Sequence, residues 1–226
     1  AYQPSVLRRH PLLIYDGDRR WAPLPTLVLQ RVTFGLYYDL LQPGGGLRDE
    51  IGKRFEQYCA DYLAAQMPSF GVSREYRYTV PGRGDGHNSP DILVQVQGEL
   101  ALIIECKATK LTFAAQFSDD PATDAEARYA EIGRGVFQVW RFVSHCRRGL
   151  TKHTVGPATR GMVLTLDTWV VMSRGLQDHV LSVASRLANA DPGILPEDRC
   201  GVVFAACQDF ELLASQTSED AFLETI

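Results

Sequence analysis

The sequence predicts an α/β fold, a mixed sheet with helices packed on it. Three observations carry that expectation. Apolar residues recur with helical period from Asp49 to just before Pro68; two adjoining apolar runs between Ser89 and Lys110 alternate as strands do; and a second helical pattern, ending near Cys146, precedes another β-branched run. The chain has 226 residues, 45% hydrophobic and 22% charged, enough for one large domain with a real core. No apolar run approaches the ~20 residues of a membrane-spanning helix. The start, AYQPSVLRRHPLL, lacks an apolar segment followed by small residues, so no secretory signal is read there. With no initiator methionine, the chain is expected to be one domain of a longer polypeptide.

Taken in order, residues 1–47 are punctuated by proline and predict an irregular extension with one short helix, closed by the breaker Pro43-Gly44-Gly45-Gly46. From Asp49, Ile51, Phe55, Tyr58, Cys59, Tyr62 and Leu63 fall on one helix face. Asp49 and Glu50 suit the helix N-terminus. Arg74–Val80 alternates and predicts a strand, and PGRGDGHNSP after it predicts a loop. DILVQV and LALIIECK then predict a hairpin turning at Gln97-Gly98-Glu99. A helix follows from Thr123 or Asp124, on a spine of Ile132, Val136, Val139, Trp140 and Val143, and closes at Arg147-Arg148-Gly149. GMVLTLDTWVVMS predicts one or two strands, LQDHVLSVASRLAN a helix and GVVFAAC a strand. The acidic tail from Gln216 is expected to be weakly ordered.

The five cysteines show no CxxC pair and predict reduced core thiols of a cytoplasmic protein, with neither a disulfide framework nor a zinc cluster. The net charge of −4 excludes a global basic field. Four lysines stand against nineteen arginines; arginine suits phosphate recognition, but genome composition explains the ratio equally well.

The hairpin carries the chemistry. Pairing about Gly98 sets Ile92 against Ile104, Val94 against Leu102 and Val96 against Leu100, one continuous apolar face. The same register sets Asp91 against Glu105 on the other face, with Lys107 two residues on and on the same side. Cross-strand partners have Cβ atoms ~5 Å apart. Two half-buried carboxylates that close repel each other, and a divalent cation between them removes the conflict. Magnesium takes hard oxygen ligands and keeps several waters, while a lysine alongside can counter the charge of a reacting phosphate.

Pro90-Asp91 followed by Glu105-Cys106-Lys107 resembles the PD-(D/E)xK signature of a nuclease superfamily that includes restriction endonucleases, Holliday-junction resolvases and phage-type exonucleases. The resemblance implies a restriction-endonuclease-like αβββαβ core over residues 49–167; outside it, residues 1–48 are read as an N-terminal extension or the remnant of a preceding domain, and 168–226 as a C-terminal α/β addition to the same domain. It implies a Mg2+-dependent nuclease, Mn2+ being an alternative, acting on nucleic acid and on DNA above all. Asp91, Glu105 and the Cys106 carbonyl would hold the metal, Lys107 would be the catalytic lysine, Glu56 in GKRFEQY an accessory ligand and Gln138 in GRGVFQVWRF a positioning group. Arg141, Arg134 and Arg83 are candidates for phosphate contact. The expected setting is the bacterial cytoplasm, as a homodimer or beside other domains of a DNA-processing or defence protein, with no membrane partner.

Blander readings compete residue by residue. Glu56 alone is a solvated helix flank, and the Arg134, Gln138, Arg141, His145 stripe alone is the wet side of a helix. Lys107 alone is an edge-protecting lysine. The alternative function is a nuclease-fold binding module whose chemistry is lost; a coincidental structural role for the hairpin carboxylates is the third reading.

Overall fold

The structure is a computed structural model that describes residues 6–8, 10–33, 35–37, 46–81, 86–110, 123, 126–168, 171 and 174–226. The chain divides into two compact units, residues 1–51 with 111–125, and residues 52–110 with 126–226. In the first, strands β1 (Leu13–Asp16) and β2 (Arg19–Trp21) form an antiparallel hairpin, followed by helix α1 (Pro25–Val32). The helix starts on Pro25, whose missing N–H costs nothing in a first turn. The hairpin was not expected in this extension. Its signal is Gly17 at φ +53°, the glycine that lets a two-residue turn match the strand twist.

The larger unit is built on a five-stranded mixed sheet in the order β3-β6-β7-β8-β9, formed by Gly71–Arg74, Ile92–Val96, Glu99–Lys107, Val155–Thr165 and Val202–Ala206. The first three are mutually antiparallel, and β8 and β9 join in parallel. On one face lie α2 (Leu47–Gln66), α5 (Cys207–Gln216) and α6 (Glu219–Thr225). Phe55, Cys59 and Leu63 of α2 meet Phe210 and Phe222 over Ile92, Val94, Leu102, Ile104 and Cys106 in one buried cluster. The opposite face carries α3 (Glu126–Arg147), with α4 (Arg174–Asn189) packed beside it. The C-terminus of α3 ends as anticipated on glycine: Gly149 takes φ +68°, its N–H donates to the Cys146 carbonyl and that of Leu150 to the His145 carbonyl.

Four expectations are corrected. The first sheet strand is Gly71–Arg74, not Arg74–Val80. Arg77–Tyr78 (β4) pairs instead with His87–Asn88 (β5) in a separate two-stranded ladder. Pro90 explains the break, because it has no N–H to continue a ladder between β5 and β6. The alternation of Tyr76, Tyr78 and Val80 is real, but it faces α3: Tyr76 and Tyr78 set their rings against Phe142.

The hairpin turn is Gln97-Gly98 alone, at φ +53° and +90°, and Val96 pairs with Glu99 and Gln95 with Leu100. A turn of two left-handed residues matches the strands' twist, and the register shifts by one between Val94 and Gln95 to restore the expected pairs Val94–Leu102 and Ile92–Ile104. The stripe on α3 is its wet side only in part: Arg134 is exposed, Gln138 and Arg141 are half-buried, and His145 is buried under β4 and β5. The acidic tail is ordered as α6. Ser218 caps it by accepting the Ala221 N–H, Phe222 is fully buried against Phe70 and Phe210, and Glu219 accepts the Ser69 N–H at 2.8 Å.

Candidate active site

Side chains alternate along β7, so Glu105 and Lys107 face α3 while Cys106 between them enters the α2 core. Asp91 lies one residue beyond the last paired position of β6, where the register continues towards Glu105. Its Oδ2 accepts the Cys106 backbone N–H at 2.7 Å, which locks the end of β6 to the end of β7. Lys107 Nζ donates to Glu105 Oε1 at 2.6 Å. Glu105 is 2% exposed, and its second oxygen, Oε2, is buried with no hydrogen-bond partner.

The electrostatics follow from this crowding. Burial, then the Glu105 charge, push the Asp91 carboxyl up to about 8 despite the Cys106 N–H. Glu105 is raised by its complete burial, against the opposing pull of Lys107. Burial alone would lower the Lys107 ammonium, but Glu105 holds it above its usual value. Glu56, on α2, feels the charges of the site: burial, followed by Asp91 and Glu75, raises it to about 7, and Lys107 opposes them.

Helix α3 supplies the roof. A Cβ on Gly135 would stand 3.0 Å from Lys107 Cε and 3.2 Å from Glu105 Cγ, so any side chain here would press on both groups. Gln138, half-buried, follows Gly135 by three residues and shares its face. Among the described residues, neither Arg134 nor Arg141 forms an ion pair with the site's carboxylates. Arg134 is exposed. The Arg141 guanidinium lies 5.4 Å over the Phe137 ring, and its Nε is buried without a partner. Together with burial and His87, Arg141 depresses His145 to about 4, so His145 is a neutral acceptor or donor for the Tyr78 hydroxyl at 2.8 Å. Arg83 lies outside the described residues.

Two residues escaped the sequence reading. Gly135 has a signal only once α3 is known to cross the strand ends. Glu75 was hidden inside a supposed regular strand; its N–H donates to the Asp91 carbonyl at 2.9 Å, beside the site.

The donor set suits a hard divalent cation: two converging carboxylates, one with an unpartnered buried oxygen, next to the Cys106 carbonyl. Among the described residues, no three His, Cys, Asp or Glu side chains are grouped closely enough to hold a metal by themselves, and no helix is long and apolar enough to cross a membrane. All five cysteines are free thiols. No protein-family model matches the chain, and no curated protein matches it in sequence.

Proposed function

We propose that this protein is a divalent-metal-dependent nuclease with a restriction-endonuclease-like core, hydrolysing phosphodiester bonds of nucleic acid and of DNA above all. The observation that carries the proposal is the buried, unpartnered Oε2 of Glu105, set beside Asp91 at the adjoining ends of two strands and next to a buried lysine. The element order supports it: one helix, three antiparallel strands, a helix and a parallel strand form the centre of the larger unit, as PD-(D/E)xK nucleases arrange theirs.

Asp91, Glu105 and the Cys106 carbonyl would hold the metal. Bound there, Mg2+ or Mn2+ supplies Lewis-acid polarisation of a phosphate and a water of lowered pKa. The chain's own groups do the rest. Cys106 N–H fixes the Asp91 carboxylate by one oxygen and leaves the other available. Lys107 stays protonated through neutral pH and presents its charge where a phosphate oxygen gains negative charge. Glu56, poised about 7, exchanges a proton near neutrality at the rim of the site. Gln138 offers an amide to an incoming phosphate from the face of α3 that covers Glu105 and Lys107. With a net charge of −4, the substrate must be held by local cations, so binding weakens steeply with salt.

The test is cleavage of single- and double-stranded DNA and RNA in Mg2+ and in EDTA, by the wild-type chain, Lys107→Ala and Asp91→Asn. Metal-dependent cleavage that both substitutions abolish is the expected result. If no polymer is cut and Mg2+ binds wild type no better than Asp91→Asn, the nuclease reading fails and a binding module takes its place.

A further inference from the structure

We infer that Glu75 is a third carboxylate of the cation site, standing in register with Asp91 and Glu105 across three adjacent strands and acting through the cation's water shell. The inference rests on the metal-site reading above and extends it to a strand the signature does not include.

The geometry is set by strand register. The β3–β6 ladder runs to Arg74 opposite Ile92, and Glu75 continues it by donating its N–H to the Asp91 carbonyl at 2.9 Å. The β6–β7 ladder runs to Ile92 opposite Ile104, and Asp91 continues it towards Glu105, held by the Cys106 N–H. Opposed residues of antiparallel strands share a face. Val72, Ile92 and Ile104 belong to the α2 face, so Glu75, Asp91 and Glu105 belong to the other, the face that α3 covers at Gly135.

Neighbouring strands lie ~4.8 Å apart. A cation held by Asp91 and Glu105 would leave Glu75, one strand further on, to act through a coordinated water and not as a direct ligand. Outer partners of that kind orient the inner ligands and raise affinity.

One feature points to a ligand for this row: the buried Glu105 Oε2 has no partner in the protein. Glu75 is exposed, and its charge adds to the burden on Glu56, Asp91 and Glu105 alike. Lys107 is the cation paired within the row, and it is already committed to Glu105. Asp91 and Glu105, both largely buried, share one ammonium, an expensive arrangement without a further positive charge.

The experiment measures binding of Mn2+ alone, by the loss of free-ion EPR signal, to the full chain at fixed pH. Wild type is compared with Glu75→Gln, Glu75→Asp, Asp91→Asn and, as a charge control, Glu99→Gln at the opposite end of β7. Glu75 is exposed, so both substitutions there leave the core intact, which circular dichroism verifies. Glu75→Gln is expected to weaken binding by about 10-fold or more, within the 10–100-fold range of outer-partner losses. Glu75→Asp recovers part of the affinity, and Glu99→Gln binds as wild type. The assignment is overturned if Glu75→Gln binds as tightly as wild type, or loses no more than Glu99→Gln. If wild type and Asp91→Asn bind Mn2+ equally, the metal site itself is wrong and this inference falls with it.

Discussion

Asparagine at position 91 is expected to stabilise the metal-free protein, and to do so only above mildly acidic pH. Burial, and then Glu105, raise the Asp91 carboxyl from 3.8 to about 8 in the folded state. Asparagine keeps an oxygen to accept the Cys106 N–H and removes the charge that the site resists. Below pH ~4 the aspartate is protonated in both folded and unfolded chains, so it contributes no pH dependence. Between ~4 and ~8 the unfolded chain has lost the proton and the folded chain has kept it. Folding then takes up a proton, and wild-type stability falls as pH rises; above ~8 the penalty is constant. At 1.36 kcal/mol per pH unit the ceiling on that penalty is about 6 kcal/mol. Solvent at the mouth of the site reduces it to a few.

Urea unfolding in EDTA from pH 4 to pH 9 measures the effect. The gain of Asp91→Asn over wild type should be near zero at pH 4 and reach a few kcal/mol by pH 8. Saturating Mg2+ should narrow or reverse the ranking, because a ligand at 100 times its Kd stabilises only the chain that binds it, by about 2.7 kcal/mol. An asparagine variant less stable than wild type at pH 8 in EDTA, or a difference that ignores pH, would refute the reasoning about the site.

Gly135→Ala is expected to separate stability from chemistry. The added methyl gains about 1 kcal/mol of helix propensity and meets Lys107 and Glu105 at 3.0–3.2 Å, a strain of about 1–3 kcal/mol. The melting temperature should move little, while a displacement of Lys107 by a few tenths of an ångström lowers cleavage, by less than the ~100-fold that a ~1 Å misplacement costs; equal rates would show that α3 does not position the lysine. Phe222→Ala empties a fully buried ring site between Phe70 and Phe210 and should cost about 3–5 kcal/mol in urea unfolding. A loss below about 1 kcal/mol would return the tail to the weakly ordered state its composition suggests.

What could be read in advance divides along physical lines. The β6–β7 hairpin was legible because apolar alternation on both strands fixes register: one slip would bury Glu105 and Lys107 among the α2 side chains. Asp91, Glu105 and Lys107 therefore fell into place from pattern alone. The turn was misjudged by one residue because a compensating bulge leaves no mark on the distant pairs. Glu75 was invisible for a related reason. The sheet strand GVSR has one large apolar residue, Val72, whereas the conspicuous tyrosines belong to a seam against α3, and that drew the first strand too far along the chain. The tail was misread because its acidic residues outnumber the single phenylalanine that anchors it.

Cys106 ties these two outcomes together. Its amide holds Asp91, its neighbours on either side are Glu105 and Lys107, and its thiol lies in the α2 core beside Cys59. The site is thus not a loop that can breathe on its own. Rotation of the Asp91 carboxylate alone frees the Cys106 amide, but shifting the main chain that carries Glu105, Cys106 and Lys107 means opening the apolar cluster into which Cys106 is packed, and that opening free energy approaches that of global unfolding. Substrate has to come to a rigid floor, and whatever adapts to its shape must lie in the segments around it.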